Sequence, residues 1–408
     1  MAQDFQYYIG IMSGTSMDGA DAVLIRMRGA EWLGAEAHAF TPYPDDLKAE
    51  LLALQNSGED EIHRSRLLSQ RLSRLYAETV HKLLAENSLM PSEITAVGCH
   101  GQTVRHAPEH GYSVQLADWP LLAELCGILT VGDFRSRDLA AGGQGAPLVP
   151  AFHQALFSAP HETRVLLNIG GIANISILRP SENERSEFLR SKNEAHAELL
   201  HSKNETSEIF LHNKTSENQG AIGFDTGPGN MLMDAWMQKA FGLPYDKNGE
   251  TASRGRVLPE LLARLLDNGY FRRLPPKSTG RELFALPYLL DRLNGDEAPE
   301  DVLRTLTEFT AQTAVDEIVR NAPDTQQIYV CGGGIRNAVL MNALDTLLAE
   351  RLPDAALHST AALNLDPQWM EAAAFAWLAA CWVNRIPSNP HHATGASKPC
   401  ILGTGCYA

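Results

Sequence analysis

Two stretches of this chain carry the same pattern, and that repetition constrains the fold more than any other feature. "YYIGIMSGTSMDGADAVLIRM" (Tyr7–Met27) and "VLLNIGGIANISIL" (Val165–Leu178) are each an apolar strand, a glycine-centred turn and a second strand. The first opens the chain, and the second follows the helical stretch "PLVPAFHQALFSAP". Two such hairpins opening two halves predict a duplicated α/β domain with a cleft between the copies. The segments between them alternate as that prediction requires. "EIHRSRLLSQRLSRLYAETVHKLLAEN" places Leu68, Leu72, Leu75, Tyr76, Val80, Leu83 and Leu84 at three- and four-residue spacing, the stripe of a helix packed on one face. Strands "ITAVGCH", "GILTVGDF" and "QIYVCGGG" and the helical "PQWMEAAAFAWLAACWVNR" continue the rhythm.

The polar content of the first turn raises a chemical question. Gly14, Thr15, Ser16, Met17, Asp18 and Gly19 form a loop whose backbone can approach an anion and whose carboxylate can serve a hydrated Mg²⁺. A Walker loop is excluded, because Ala20 and Asp21 stand where Lys and Ser or Thr are required. An ordinary hairpin turn closed by Asp18-Gly19 is the competing reading.

Five further stretches end strands or open helices and combine glycine with polar side chains, the positions where α/β proteins place their sites. "CHGQT" holds His100, Gln102 and Thr103, and "DFRSRDLAAGGQGAPLVP" holds Asp133, Arg135 and Asp138. "GFDTGPGN" sets Asp225 at a strand end, and "CGGGIRN" places Gly332, Gly333 and Gly334 before Asn337. "WMEAAAFAWLA" leaves Glu371 alone on an apolar helix, where an unpaired carboxylate is costly. Each has a plain alternative. His100 is equally a core histidine, Arg135 and Asp138 a surface pair, and Asp225 a helix-terminal carboxylate.

One stretch breaks the rhythm. From Ser181 to Gln219 the chain is polar and quasi-repetitive, with "SKNE" at Ser191 and again at Ser202. The expectation is a surface insertion at a hairpin tip, with a partner-binding arm as the alternative.

Whole-chain composition narrows the class. The net charge is −15, which argues against a general nucleic-acid binder. No apolar run approaches membrane-spanning length and no basic-then-apolar leader opens the chain, so neither a membrane nor an export role is expected. Six cysteines without a C-x-x-C pair read as reduced, mostly buried thiols, and the cytoplasm is the expected compartment.

Taken together, "SGTSMDG", "CHGQT", "DFRSRDLAAGGQGAPLVP", "NIGGIANIS", "GFDTGPGN" and "CGGGIRN", in this order, resemble the anhydro-N-acetylmuramic acid kinase family. The resemblance covers nearly the whole chain apart from the 181–219 insertion. It implies two RNase H-like domains of the sugar kinase/Hsp70/actin fold with ATP held between them. The expected division is domain I at 1–150, rejoined by 385–408, and domain II at 151–384.

The implied reaction opens the 1,6-anhydro ring of the amino sugar with water and phosphorylates the freed O6 from ATP. Its products are N-acetylmuramic acid 6-phosphate and ADP, in recycling of cell-wall sugars. Asp225 matches the family's catalytic aspartate and would take the water proton. Gly14 to Gly19, Gly170, Gly171, Gly332, Gly333, Gly334 and Asn337 would line the ATP site, with Asp18 near Mg²⁺. Thr103, Asp133, Arg135 and Glu371 are the sugar-pocket candidates, Arg135 as partner of the lactyl carboxylate. The family further suggests a homodimer.

Alternatives remain. They are a kinase of another sugar, an ATP-independent glycosidase using Asp225 with Glu371, and a nucleotide switch of the Hsp70 kind. The switch ordinarily needs a client-binding segment that is not expected here.

Overall fold

The structure, a computed structural model, describes residues 5–14, 17–159, 161–180, 222–280 and 283–408. Thr15, Ser16 and the 181–219 insertion lie outside the described residues.

The two hairpins expected from the sequence are present. Strands β1 (Gln6–Met12) and β2 (Gly19–Arg28) pair antiparallel, and β3 (Glu31–Pro42) pairs antiparallel with β2. On the other side of β1 run β4 (Ile94–Cys99) and then β7 (Thr130–Gly132), both parallel. Between those two come the small pair β5 (Gln102–Ala107) and β6 (Tyr112–Leu116).

The second sheet repeats this order. Strands β8 (Thr163–Ile169), β9 (Ile172–Leu178) and β10 (Ile222–Pro228) form the antiparallel meander, with β10 at the edge. Strands β11 (Thr325–Cys331) and β12 (Ala356–Ser359) lie parallel on the far side of β8. Both sheets therefore run third, second, first, fourth, fifth in their own chain order, which is duplication at the level of topology. The chain closes by adding β13 (Thr404–Cys406) antiparallel to β7 in the first sheet.

Helices cover the faces as the hydrophobic spacing requires. The helix Glu61–Glu86 buries the whole stripe from Leu68 to Leu84 against one face of the first sheet. In the second sheet the helices Met231–Phe241, Pro299–Asn321 and Ala338–Arg351 surround a core that includes Val165, Leu167, Phe224, Phe309 and Leu340.

A third core joins the two sheets. It is built on the helix Met370–Val383, which packs on β1, β4 and β2 and shares a cluster with Leu166, Tyr329 and Cys331 of the second sheet. Its alanines allow the approach, because a small side chain lets backbone lie close to backbone. All six cysteines are free thiols. Among the described residues no helix is long and apolar enough to cross a membrane.

Candidate functional site

The first turn is held through its main chain. Met17 N–H donates to the Gly14 carbonyl at 3.1 Å, and Tyr43 N–H donates to the Asp18 carbonyl at 3.0 Å. Met17 has φ +56° and a buried side chain, so the turn is pinned from below. Gly19 has a packing reason of its own, since a Cβ there would meet the Thr41 carbonyl and the Phe40 ring. The Asp18 side chain points the other way. It is 67% exposed, with Lys48 Nζ at 3.3 Å.

The glycines of the second sheet divide by the same test. Gly332 has φ +82°, and its missing Cβ leaves room for Asn168 Oδ1 and the Ile169 backbone. Gly334 is packed against the Ile169 side chain. Gly171 and Gly333 have neither the positive φ of Gly332 nor the close packing of Gly334. A Cβ at Gly171 would meet open space, and one at Gly333 would meet only Asn230 Nδ2 at 3.8 Å. No packing demand of the chain explains those two glycines. Bare backbone at such positions leaves room for a group from outside.

They lie beside the end of β10, the strand that carries Asp225. The Gly170 carbonyl accepts from Asn230 N–H at 2.8 Å, and the Gly171 carbonyl from Gly229 at 2.9 Å and Met231 at 3.1 Å. Those bonds dock the β8–β9 turn onto the entry of the helix Met231–Phe241. Asn337 caps the helix Ala338–Arg351, its Oδ1 accepting from Val339 N–H and Leu340 N–H, both at 3.1 Å.

Asp225 sits on the edge strand β10 at a bulge, where the register with β9 slips between Asp225 and Gly227. Its Oδ2 accepts from Thr279 N–H at 2.9 Å, and its carbonyl accepts from the Tyr270 hydroxyl at 2.7 Å. Burial, reinforced by the Asp225 and Glu317 carboxylates, pushes the Tyr270 pKa far up, so the phenol stays protonated and donates.

A second cluster gathers the sugar-pocket candidates Arg135 and Glu371. The Arg135 guanidinium donates to His100 Nε2 at 2.9 and 3.2 Å and to the Gly145 carbonyl at 2.8 Å. Burial pulls its pKa down to about 10, opposed by the Glu371 carboxylate, and it remains a cation at neutral pH. His100 is neutral, its pKa driven well down by burial and by the Arg135 charge, which suits an acceptor of guanidinium hydrogens. The alternative pairing of Arg135 with Asp138 does not occur. Asp138 is buried and ties the glycine-rich loop to the C-terminal segment through Gly145 N–H (2.8 Å), Asn389 Nδ2 (3.1 Å) and Thr394 Oγ1 (2.9 Å).

Glu371 begins the helix shared by the two sheets. Its pKa is raised, first by burial and then by the Asp21 carboxylate on β2, while Asn168 and the Arg135 guanidinium pull the other way. Contributions from both sheets thus meet at this one carboxyl. Thr103 lies on β5, three residues after His100, and Asp133 follows β7, two residues before Arg135. Thr103 Oγ1 accepts from Gln115 Nε2 at 3.2 Å, and Asp133, at φ +51°, accepts from Ser136 Oγ at 2.5 Å. A non-glycine residue held in that left-handed region stores strain of order 1 kcal/mol, a common mark of working positions.

Sequence reasoning missed Asp21 and Asn168. Asn168 had a usable signal, being the polar residue before "IGG" at the end of an otherwise apolar strand. Asp21 sits inside a strand that reads as hydrophobic, and its importance comes from what stands opposite.

Known proteins resemble this chain along nearly its whole length. A family model described as anhydro-N-acetylmuramic acid kinase matches residues 6–187 and 213–408. The unmatched stretch falls inside the polar repeat segment. A Neisseria meningitidis serogroup C (strain 053442) protein named anhydro-N-acetylmuramic acid kinase is 64% identical over 402 residues, covering 98% of this chain and 99% of that protein. A Burkholderia mallei (strain ATCC 23344) protein of the same name is 47% identical over 398 residues, covering 97% and 96%. Among solved structures, the activator of the 2-hydroxyisocaproyl-CoA dehydratase from Clostridium difficile with bound ADPNP aligns with a TM-score of 0.42. It is 12% identical, with 93% of this chain and 97% of that chain covered.

Proposed function

The chain belongs to the anhydro-N-acetylmuramic acid kinase family, and from that premise we propose how its residues divide the work. The activity is ATP-dependent phosphorylation of 1,6-anhydro-N-acetylmuramic acid with hydrolytic opening of its bridge. The products are N-acetylmuramic acid 6-phosphate and ADP, and the setting is recycling of peptidoglycan sugars.

In this reading water attacks the anomeric carbon, the bond from that carbon to O6 breaks, and O6 takes the γ-phosphoryl group. Asp225 accepts the proton of the attacking water. The hydrogen bonds from Thr279 and Tyr270 that hold its carboxylate and backbone suit that task. Arg135 binds the lactyl carboxylate as a charge-assisted pair, with neutral His100 fixing its guanidinium. Glu371, Thr103 and Asp133 take the sugar's polar groups. Gly14, Thr15, Ser16, Met17, Asp18 and Gly19 approach the phosphates from the first sheet. Gly170, Gly171, Gly332, Gly333 and Gly334 with Asn337 approach the nucleotide from the second.

Mg²⁺ fits these residues in one particular way. Among the described residues no three His, Cys, Asp or Glu converge on a metal position. That suits an ion that arrives with the triphosphate and keeps most of its waters. Asp18, with its exposed carboxylate, would hold such a water. The ion would neutralise phosphate charge.

We assign a domain at 1–150, rejoined by 385–408, and a domain at 151–384; the strands of the two sheets fall on either side of that division, and the helix Met370–Val383 of the second packs on β1, β4 and β2 of the first. A cytoplasmic location and a homodimer complete the proposal.

The observation that carries the site assignment is the pair of glycines, Gly171 and Gly333, that no contact of the chain requires, beside Gly229 and Asn230 at the end of the strand that bears Asp225. The test is ADP release that depends on the anhydro sugar, with product made in ¹⁸O-water analysed by mass spectrometry. Label at the anomeric oxygen is expected. ADP release without sugar dependence, or product without label, would overturn the reading.

A further inference from the structure

Lys277 is a buried lysine that the reaction as described does not use. Its side chain is 2% exposed, and its Nζ reaches Glu317 Oε1 at 2.9 Å, where Glu317 is also 2% exposed. The ammonium lies 4.7 Å from the Tyr270 ring centroid and 5.9 Å from that of Phe224. Glu317, on the helix Pro299–Asn321, is itself held by Arg320 NH1 at 2.8 Å and Asn321 Nδ2 at 3.0 Å. Taking two charges out of water is expensive, and packed apolar side chains often serve stability as well or better. A buried pair in this place therefore calls for an explanation other than stability.

The backbone around Lys277 supplies one. β10 is an edge strand, so the outward N–H of Asp225 has no strand to pair with. It donates to the Lys277 carbonyl at 3.2 Å. Two residues on, Thr279 N–H donates to Asp225 Oδ2 at 2.9 Å. Tyr270, whose ring lies under the ammonium, donates its hydroxyl to the Asp225 carbonyl at 2.7 Å. Asp225 thus accepts two hydrogen bonds from residues 270–279 and donates one to them, and Lys277 is where that segment is bolted into the core.

We propose that Lys277, clamped by Glu317, is a positioning residue for Asp225: it holds the 277–279 backbone against the strand edge so that Thr279 N–H fixes the rotation of the carboxylate. The proposal rests on Asp225 being the base. Lys277 itself does not touch the substrate and transfers no proton.

The test uses the full-length enzyme in four forms: wild type, Asp225→Asn, Lys277→Met/Glu317→Gln, and Asp225→Asn/Lys277→Met/Glu317→Gln. The Lys277→Met/Glu317→Gln pair removes both charges while leaving an acceptor for Arg320, so no unpaired ion is left buried. Thermal melts establish that each form folds. Should that pair not fold, Lys277→Gln/Glu317→Gln, whose two amides can hydrogen-bond to each other with no buried charge, takes its place. The expected result is kcat lowered about tenfold with KM for sugar and for ATP within about twofold, since a misplaced catalytic group costs rate and not ground-state binding. Within the Asp225→Asn background the same changes should alter residual turnover by less than about twofold, because the effect runs through that carboxylate.

A folded charge-free form with wild-type kcat would overturn the proposal. So would an equal loss in both backgrounds, which would mean that Lys277 acts elsewhere. Wild-type turnover in Asp225→Asn is the separate outcome that removes Asp225 as the base, and the proposal with it.

Discussion

Gly10 on β1 and Gly98 on β4 face each other across a parallel ladder, and both are roofed by the backbone of one helix. A Cβ on Gly10 would collide with the Ala372 carbonyl, and one on Gly98 with the Phe375 carbonyl. The same helix carries Glu371 at its first turn. These two glycines therefore set the height of the helix above the sheet and, with it, the position of a sugar-pocket carboxyl. Gly98→Ala is expected to cost about 3 kcal/mol, since neither backbone carbonyl nor strand can rotate away as a side chain would. Denaturant melts check the stability. In the folded fraction, KM for the anhydro sugar should rise more than KM for ATP. A Gly98→Ala enzyme with unchanged melting would show that the helix can lift freely.

The Glu371 carboxyl makes a pH prediction whose sign is fixed by its environment. Its pKa is raised above the usual carboxylate value of 4.5, mainly by burial and then by Asp21. The folded state therefore binds its proton more tightly than the unfolded chain does. The group's contribution to stability is full below pH about 4.5 and is lost as pH rises through the higher folded pKa. Glu371→Gln, neutral at every pH, lacks that loss. The melting temperature of wild type relative to Glu371→Gln should fall from pH 4.5 upward and level off once the carboxyl is ionised. A flat difference across that window would mean that Arg135 and Asn168 fully offset the burial.

How much of this was legible in the sequence depends on the range of the interaction. The two hairpins, the stripe from Leu68 to Leu84 and the strand "QIYVCGGG" were readable because period and turn chemistry are local. So was the set of polar loops. What single residues do inside those loops was not. Gly19, Gly332 and Gly334 read like Gly171 and Gly333, yet only contacts distant in sequence separate packing glycines from open ones. Asp138, named beside Arg135 in one loop, anchors residues some 250 positions away. The buried pair of Lys277 and Glu317 is 40 residues apart and belongs to no motif that a pattern could flag.

The polar insertion lends itself to a direct deletion. Ile177 on β9 pairs with Ile222 on β10, so the two described ends of the segment stand opposite each other across an antiparallel ladder. The family model also matches on both sides of 188–212 and not within it. Replacing 181–219 by a short glycine-containing turn should preserve the ladder, because shortening a loop changes closure entropy only slowly. Melting temperature within a few degrees of wild type and kcat/KM within about threefold are expected. Loss of fold or activity would assign the repeats a role in packing or assembly.

Asp18 separates a phosphate hairpin from a plain turn. Its backbone carbonyl, bonded to Tyr43 N–H, does the structural work, and replacing the side chain leaves that bond in place. Its carboxylate is mostly exposed and contacts Lys48 only at the surface, where an ion pair contributes little to stability. Asp18→Ala should therefore melt within about a degree of wild type. If the loop meets the triphosphate, an anion there is tolerable only with a cation between them, and losing it should disturb the geometry of the transferred group. ATP-dependent turnover is then expected to fall about tenfold or more, while the anhydro sugar still binds, as isothermal calorimetry would register. Raising Mg²⁺ should recover part of the loss, which a folding defect would not show. Unaltered turnover per folded molecule at every Mg²⁺ concentration would return Gly14 to Gly19 to the role of a simple turn.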